Sequence, residues 1–330
     1  MKISKESRVL GGLIGIAYGD AFGMPGEGFS RSQIKKKFGR IERFLPGLDE
    51  NPISKGLQAG EFTDDTMNTI FVIEMLKQNN LQVNAYDFIK RLRNWTSTSE
   101  KSFAVTGPST KKAFELIEQG VPMEETGKTG TTNGAAMKIL PVGMVNNYKN
   151  LDALIEQVHL LSMPTHNTSI AISGASAVAA AESYALFGNS DLNEMIQVAC
   201  NAAEQGSSLG HELPSPSIAA RIKTAIGFAD NYSKEEAIDI ICDVIGTDVA
   251  ISESVPATIA FAYLAEGNPY ECAVICANAG GDTDTIAAMA CGICGTLQGD
   301  AAFKQEDIAL LEEVNQINFR ELAEGLGLQD

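Results

Sequence analysis

The chain has 330 residues, of which 44% are hydrophobic and 20% are charged. This composition allows a sizeable core and excludes an intrinsically disordered chain. The formal net charge of -17 argues against nucleic-acid binding, because phosphate backbones are bound by clustered lysine and arginine. Helical periodicity dominates and strand-like alternation is almost absent, so we predict an all-α fold with one domain over residues 1–330.

The first predicted helix is rich in glycine. Its basic start and apolar run resemble a signal peptide, but Asp20 and five glycines interrupt the run between residues 9 and 24, and no small-x-small cleavage site follows. We find no other segment long and apolar enough to span a bilayer, and we expect a cytoplasmic protein without a membrane partner. Gly15 and Gly19 favour close helix packing, whereas Asp20 needs a polar partner in its apolar surroundings. Glu27 follows in a flexible loop, from which its carboxylate could reach a central site.

The segment Phe62-Thr63-Asp64-Asp65-Thr66 comes directly before an apolar helical run. Carboxylates at a helix start are explained by N-capping and by the helix dipole, an interaction worth about 0.3–1 kcal/mol. Capping requires only one of the two aspartates, however, and the neighbouring threonines add oxygen ligands. A plain helix cap and a metal site are both open at this position.

The Thr/Gly-rich segment 129–134 leads into a predicted helix and offers backbone N–H groups to a phosphate or a sugar. It lacks the Gly-Lys-Ser/Thr order of a P-loop, so hydrolysis of a nucleotide at its phosphates is not expected. Further along, Pro164-Thr165-His166-Asn167 is predicted to place His166 at a helix start. There a neutral ring could hydrogen-bond a substrate or serve the structure alone.

Helix signals continue in the second half of the chain. Ser233 and Glu236 have the spacing of a capping box, and Pro269 is suited to the first turn of a helix that reaches about Cys276. Residues 307–325 are predicted to form a last amphipathic helix.

Cys291-Gly292-Ile293-Cys294 has the spacing of a redox or zinc pair. The pair lies in an apolar run that is typical of a buried helix, and we identify no second cysteine pair or nearby histidine to complete a zinc set. A structural role is therefore predicted for these thiols.

The segment Gly280-Gly281-Asp282-Thr283-Asp284-Thr285 precedes another long apolar helix. The glycines permit backbone conformations that other residues avoid, which lets a turn fold closely around a ligand. An Asx-turn with a helix cap would explain the segment equally well if it stood alone.

The two Asp/Thr-rich helix starts are interpreted together, because each contains more carboxylates than capping requires. If they converge, four carboxylates share one site. Like charges about 4 Å apart repel by about 4 kcal/mol at an effective dielectric constant of 20, a cost that two divalent ions would remove. Ligands that are all oxygen favour Mg²⁺ or Mn²⁺ over Zn²⁺.

These elements, in this order, resemble the ADP-ribosylglycohydrolase family, which includes dinitrogenase reductase-activating glycohydrolases and eukaryotic ADP-ribosyl-acceptor hydrolases. The resemblance extends from residue 11 to residue 299. Its most specific parts are Gly19-Asp20 with Glu27, Thr63-Asp64-Asp65-Thr66, Asn133-Gly134-Ala135-Ala136-Met137, Thr165-His166 and Gly280-Gly281-Asp282-Thr283-Asp284-Thr285.

The resemblance implies an orthogonal helical bundle whose central cleft holds a binuclear centre of two Mg²⁺ or Mn²⁺. The implied metal ligands are Thr63, Asp64, Asp65, Asp282, Asp284 and Thr285. Glu27 would be a mobile acidic residue beside the metals, and Glu27 and Asp65 are the candidate catalytic residues. The candidate substrate-binding residues are Gly107, Thr110, Asn133, Gly134, Ala135, Met137 and His166.

The activity that the resemblance implies is hydrolysis of the glycosidic bond at the anomeric carbon of an ADP-ribosyl group. The partner would be an ADP-ribosylated protein or a small ribosylated metabolite. Two alternatives are open: a hydrolase of a nucleoside-like N-glycoside, and a protein that binds ADP-ribose without cleaving it. Family members that cleave ADP-ribosyl-arginine tend to carry an acidic residue before a Gly-x-x-Thr motif, whereas Val105 and Thr106 precede Gly107 here. This departure argues against arginine specificity.

Overall fold

The computed structural model describes residues 3–98 and 106–326, so that Val105 lies outside the described residues. Within these ranges the protein is built from α-helices, and no strand longer than an isolated bridge is present. The all-α prediction is confirmed. The helices are α1 (Lys5–Gly23), α2 (Arg31–Phe38), α3 (Asp64–Gln78), α4 (Ala85–Thr96), α5 (Pro108–Glu118), α6 (Met123–Thr126), α7 (Leu140–Val145), α8 (Leu151–His166), α9 (Ser169–Phe187), α10 (Leu192–Gly206), α11 (Ile218–Asn231), α12 (Lys234–Ile240), α13 (Ile251–Leu264), α14 (Pro269–Ala277), α15 (Thr283–Gln298), α16 (Gln305–Asn315) and α17 (Phe319–Ala323).

Helices α1 and α15 lie antiparallel at the centre of the fold, and both are buried over nearly their whole length. A Cβ atom added at Gly15 would lie 2.2 Å from the carbonyl oxygen of Cys291, and one at Gly19 would lie 2.0 Å from that of Ala287. Only glycine permits so close an approach, which confirms the packing role predicted for Gly15 and Gly19. The contact sets the C-terminal end of α1 beside the start of α15.

Helix α9 forms another fully buried part of the core, in which Ile172, Ala175, Ala179 and Ala180 have no exposed surface. Its length and composition also meet the requirement for crossing a bilayer, so the expectation that the chain holds no such segment was wrong. Because 94% of the apolar window of α9 is buried by the rest of the protein, it has the surroundings of a core helix.

The local helix signals are confirmed at two of three positions. Ser233 and Glu236 form the predicted capping box at the start of α12, and Pro269 is the first residue of α14. The predicted single helix over residues 307–325 is wrong, because the chain turns at Gln316, whose φ of 53° is left-handed. The tail is therefore split into α16 and α17.

All six cysteines are free, and four of them are buried together between α14 and α15. The thiol of Cys272 interacts with those of Cys276, Cys291 and Cys294. The pair Cys272 and Cys276 is thus a spatial neighbour of the predicted pair, which the sequence analysis missed. The predicted burial of Cys291 and Cys294 is confirmed, since neither has exposed surface.

Candidate metal centre and substrate cleft

The two Asp/Thr helix starts converge in the structure. Asp64 opens α3 after the N-cap residue Thr63, and Asp282 is the N-cap residue of α15. The hydroxyl groups of Thr63 and Thr285 each lie 3.3 Å from Asp65 Oδ2. Residues from opposite ends of the sequence therefore share one polar site.

Helix capping does not account for the acidic residues of α15. The carboxylate of Asp282 makes no hydrogen bond to the backbone of its own helix. It accepts instead from the side-chain amide of Asn133. Carboxylate oxygens of Glu27, Asp282 and Asp284 lie within 4.8 Å of one another, close enough to hold one cation.

Asp20 is the residue that joins this site to the core. Its carboxylate is fully buried on α1 and accepts hydrogen bonds from the N–H of Thr63 at 2.9 Å and the N–H of Thr66 at 3.0 Å. The Thr66 hydroxyl donates a further bond of 2.6 Å. Burial raises the pKa of Asp20 to about 6, against the opposing effect of these hydrogen bonds. Asp20 thus fixes the start of α3, and with it the position of Asp65.

Glu27 lies in a loop that is tied to the second motif. The N–H of Gly28 donates to the carbonyl of Gly281 at 2.9 Å, and the N–H of Gly281 donates to the carbonyl of Phe29 at 2.9 Å. Gly281 has a φ of +77°, and a Cβ there would lie 2.4 Å from the Thr247 carbonyl oxygen. The loop is therefore held at both sides rather than free, and its position brings the Glu27 carboxylate to Asp282.

The protonation of the site is dominated by burial. Burial and then the charge of Asp282 raise the pKa of Glu27 to about 8, and burial and then the charge of Asp20 raise that of Asp64 to about 7. Burial, followed by the charge of Asp20 for Asp65 and by that of Glu27 for Asp284, holds the pKa values of these two groups well above their usual range. In this environment so many carboxylates repel one another unless protons or cations neutralise them.

Two buried oxygens show what would complete the site. Asp65 Oδ1 and Asp284 Oδ1 are inaccessible to solvent and have no hydrogen-bond partner among the described residues. An unpaired buried carboxylate oxygen is costly, and a metal ion removes that cost. The surrounding donors are carboxylates and threonine hydroxyls, which suit a hard divalent cation. The residues present therefore fit a divalent metal.

A cleft of about 560 Å³ extends from these carboxylates. Six of the seven predicted substrate-binding residues line it: Gly107, Thr110, Asn133, Gly134, Met137 and His166. Ala135 does not, because its side chain is fully buried in the core.

Part of the cleft wall is suited to an anion. Helix α5 begins there, and its N-cap residue Gly107 provides no side-chain hydrogen bond to the first N–H groups. Lys55 and Lys111 line the same cleft. Uncapped N–H groups at a helix start and nearby ammonium groups together favour a phosphate. Neither lysine was identified from the sequence, where each stands outside any motif.

His166 was predicted at a helix start, and this is wrong. It is the last residue of α8, which continues through Pro164. Its Nε2 and Nδ1 atoms lie 2.8 Å from the hydroxyls of Thr132 and Thr165. Burial holds the pKa of His166 well below its usual range, so the ring is neutral. The imidazole supports the loop that carries Gly134, since a Cβ on Gly134 would lie 2.8 Å from the ring.

Lys138 is a functional candidate that the sequence analysis did not select. Its side chain is 3% exposed and donates to the carbonyl of Gly134. Burial lowers the pKa of Lys138 to about 7, although Asp64 and Asp65 oppose this change. A single lysine within the apolar run Met137–Pro141 was the signal that could have identified it.

Comparison with known proteins identifies the family of the chain. A family model described as ADP-ribosylglycohydrolase matches residues 1–329. The chain belongs to the ADP-ribosylglycohydrolase family. Among its relatives, the uncharacterized protein YegU of Escherichia coli (strain K12) is 37% identical over 98% of this chain and 97% of that protein. The ADP-ribosylhydrolase ARH3 of Xenopus tropicalis is 26% identical over 91% of this chain and 89% of that protein.

The fold of this ADP-ribosylglycohydrolase-family chain is also found among solved structures. A chain of an ADP-ribosylglycohydrolase-related protein complex superimposes with a TM-score of 0.69 and is 22% identical in sequence. The match covers 97% of this chain and 96% of the solved chain. Membership of the family shows that the chain is of the glycohydrolase type.

Proposed function

We propose that the protein is a divalent-metal-dependent hydrolase that releases ADP-ribose by cleaving the glycosidic bond at the anomeric carbon of an ADP-ribosyl group. The observation that carries this proposal is the arrangement of the cleft. The same cleft is lined by the carboxylates and by Lys55, Lys111 and the start of α5. A ribose joined to a diphosphate has matching groups, with hydroxyls for the carboxylate site and anionic oxygens for the lysines and the helix start.

In this proposal Thr63, Asp64, Asp65, Asp282, Asp284 and Thr285 would hold two Mg²⁺ or Mn²⁺ ions, which would supply Lewis-acid activation of water. Glu27 takes a proton from the water, since its side chain lines the cleft and lies beside Asp282 and Asp284. Asn133 orients the carboxylate of Asp282. Glu27 is thus the residue that transfers the proton, and Asn133 is the residue that positions Asp282.

The test measures release of ADP-ribose by chromatography from ADP-ribosyl-arginine, ADP-ribosyl-serine and NAD, with Mg²⁺, Mn²⁺ or EDTA. We expect metal-dependent release from at least one of them and a loss of about 100-fold or more for Glu27→Gln, in line with the usual contribution of a general base. Glu156→Gln, an exposed site on α8, is the control and should keep full activity. A metal-loaded protein that binds ADP-ribose but cleaves no glycoside would show that it is a binding protein.

A further inference from the structure

A second cavity, of about 360 Å³, opens from the same carboxylates as the cleft. Glu27, Ile53 and Asp64 border both spaces. We call this cavity the second lobe. Its other walls include Phe62, Met67, Trp95, Val314, Asn315 and Gln316. A substrate bound with its anomeric carbon at Glu27 can therefore extend to two sides.

The two spaces differ in charge. The cleft contains Lys55 and Lys111, whereas no lysine or arginine among the described residues lines the second lobe. The anionic diphosphate is consequently favoured in the cleft. The group on the other side of the anomeric carbon, which is the leaving group, is then directed into the second lobe.

Trp95 gives the second lobe an aromatic wall. Its ring is half-buried on α4 and packs against Phe71, with 5.9 Å between the ring centres. A fixed indole with an accessible surface is suited to stacking on a flat ring. Phe62 and Met67 extend the apolar surface around it.

Gln316 gives the second lobe a free amide. Its φ of 53° is left-handed, at a helix end where glycine is the usual residue. Its side chain makes no hydrogen bond within the described residues. The adjacent Asn315, in contrast, donates to the carbonyls of Gly60 and Leu311. The exposed amide of Gln316 is therefore available to bond a ligand in the second lobe.

We propose that the second lobe binds the leaving group, an inference that rests on the proposed function. This group is a flat aromatic N-heterocycle with hydrogen-bonding edges, of the nucleobase or nicotinamide class. Trp95 stacks on the ring and Gln316 bonds its edge. A guanidinium would pair with the Glu27, Glu61 and Asp64 carboxylates instead, and methylguanidine is therefore the competing ligand of the test.

The reaction balances without a further reagent. The bond from the anomeric carbon to the ring nitrogen breaks, and its electron pair stays on that nitrogen. The water oxygen bonds to the anomeric carbon. Glu27, which borders both spaces, accepts a proton from the water and can return it to the leaving nitrogen. A ring that was cationic while linked leaves neutral, and the proton then goes to solvent.

Trp95 is the sole tryptophan of the chain, so its fluorescence reports directly on the second lobe. Metal-loaded protein is titrated with adenine, nicotinamide and, for comparison, methylguanidine. We expect saturable quenching by at least one heterocycle and none by methylguanidine. Gln316→Gly should weaken this binding by about two- to tenfold, as expected for one hydrogen bond, without lowering the melting temperature. Asn80→Gly, which relieves an exposed φ of 53° outside the lobe, is the matched control and should bind like the wild type.

Absence of quenching, equal quenching by methylguanidine, or unchanged affinity in Gln316→Gly would each overturn the assignment. The proposed function is judged separately. Release of ADP-ribose from the serine or arginine conjugate without heterocycle binding refutes the lobe assignment alone. Heterocycle binding without cleavage of any glycoside supports the lobe as a binding site and refutes the hydrolase.

Discussion

Gly19 is the position at which the packing of the core and the geometry of the metal centre depend most directly on each other. A Cβ in Gly19→Ala would lie 2.0 Å from the Ala287 carbonyl oxygen and 2.4 Å from its carbon. Ordinary contact begins at 3.4 Å, so α1 and α15 must separate by about 1.4 Å, and the obstacle is backbone that no rotamer change can clear. Overpacking of this kind costs about 1–3 kcal/mol or more. We expect a loss near the upper end, about 3 kcal/mol.

The same shift carries Asp20 away from Thr63 and Thr66, and so moves α3 relative to α15. Displacing a catalytic group by about 1 Å can lower a rate by about 100-fold, and we expect a loss of this size in glycosidase activity. Metal affinity should fall with it, because the ligands come from both helices.

Urea denaturation measures the stability of Gly19→Ala, and titration calorimetry measures its affinity for Mn²⁺. The matched control is Gly227→Ala on α11, where an added Cβ has no atom of residues 3–98 or 106–326 within 4 Å. Replacing this helical glycine should raise the free energy of unfolding by up to about 1 kcal/mol. If Gly19→Ala unfolds at the same urea concentration as the wild type and binds metal equally well, the packing argument is wrong.

Three further changes test separate parts of the structure. Asp284→Asn alters a residue with an unpaired buried oxygen, and it should lower the Mn²⁺ affinity by about tenfold or more and reduce the rise in melting temperature that Mn²⁺ produces. Asp152→Asn, at an exposed site, is the control and should change neither quantity. Equal Mn²⁺ affinity of Asp284→Asn and the wild type would contradict the metal site. Thr66→Val removes the 2.6 Å hydrogen bond from the Thr66 hydroxyl to Asp20 and should lower the free energy of unfolding, measured by urea denaturation, by about 1.5–3 kcal/mol. Thr66→Ser keeps a hydroxyl and should retain most of the wild-type stability. An unchanged free energy of unfolding in Thr66→Val would contradict the role of Asp20. Burial raises the pKa of Glu182 from 4.5 to about 8, so on raising the pH its carboxyl ionises first in the unfolded chain. The free energy of unfolding should therefore fall as the pH rises between these two values, by up to about 1.4 kcal/mol per pH unit. Glu182→Gln should flatten this slope, and parallel curves for the two proteins would refute the assignment.

The sequence predicted best what depends on neighbouring residues. Ser233 and Glu236 cap α12 because a hydroxyl and a carboxylate three positions apart can reach the same free N–H groups. The acidic helix starts at Asp64 and Asp282 were recognised because they carry more carboxylates than capping needs.

The errors arose where a distant segment determined the local structure. His166 ends α8 where its ring contacts the Thr132 hydroxyl and where the Thr168 hydroxyl bonds the Gly130 carbonyl. The tail breaks at Gln316, after Asn315 bonds the loop at Gly60. Nothing within either segment reveals these contacts.

The sequence by itself therefore determined the helical class, the positions of the acidic helix starts and the family resemblance, since composition, periodicity and capping are local properties. Only the tertiary structure decided that Asp20 holds the start of α3, that Lys138 is buried near Asp64, and that the second lobe meets the cleft at Glu27. The physical reason is that helical spacing fixes the face on which a side chain lies. Which helix covers that face depends on how closely the glycines of α1 allow α15 to approach.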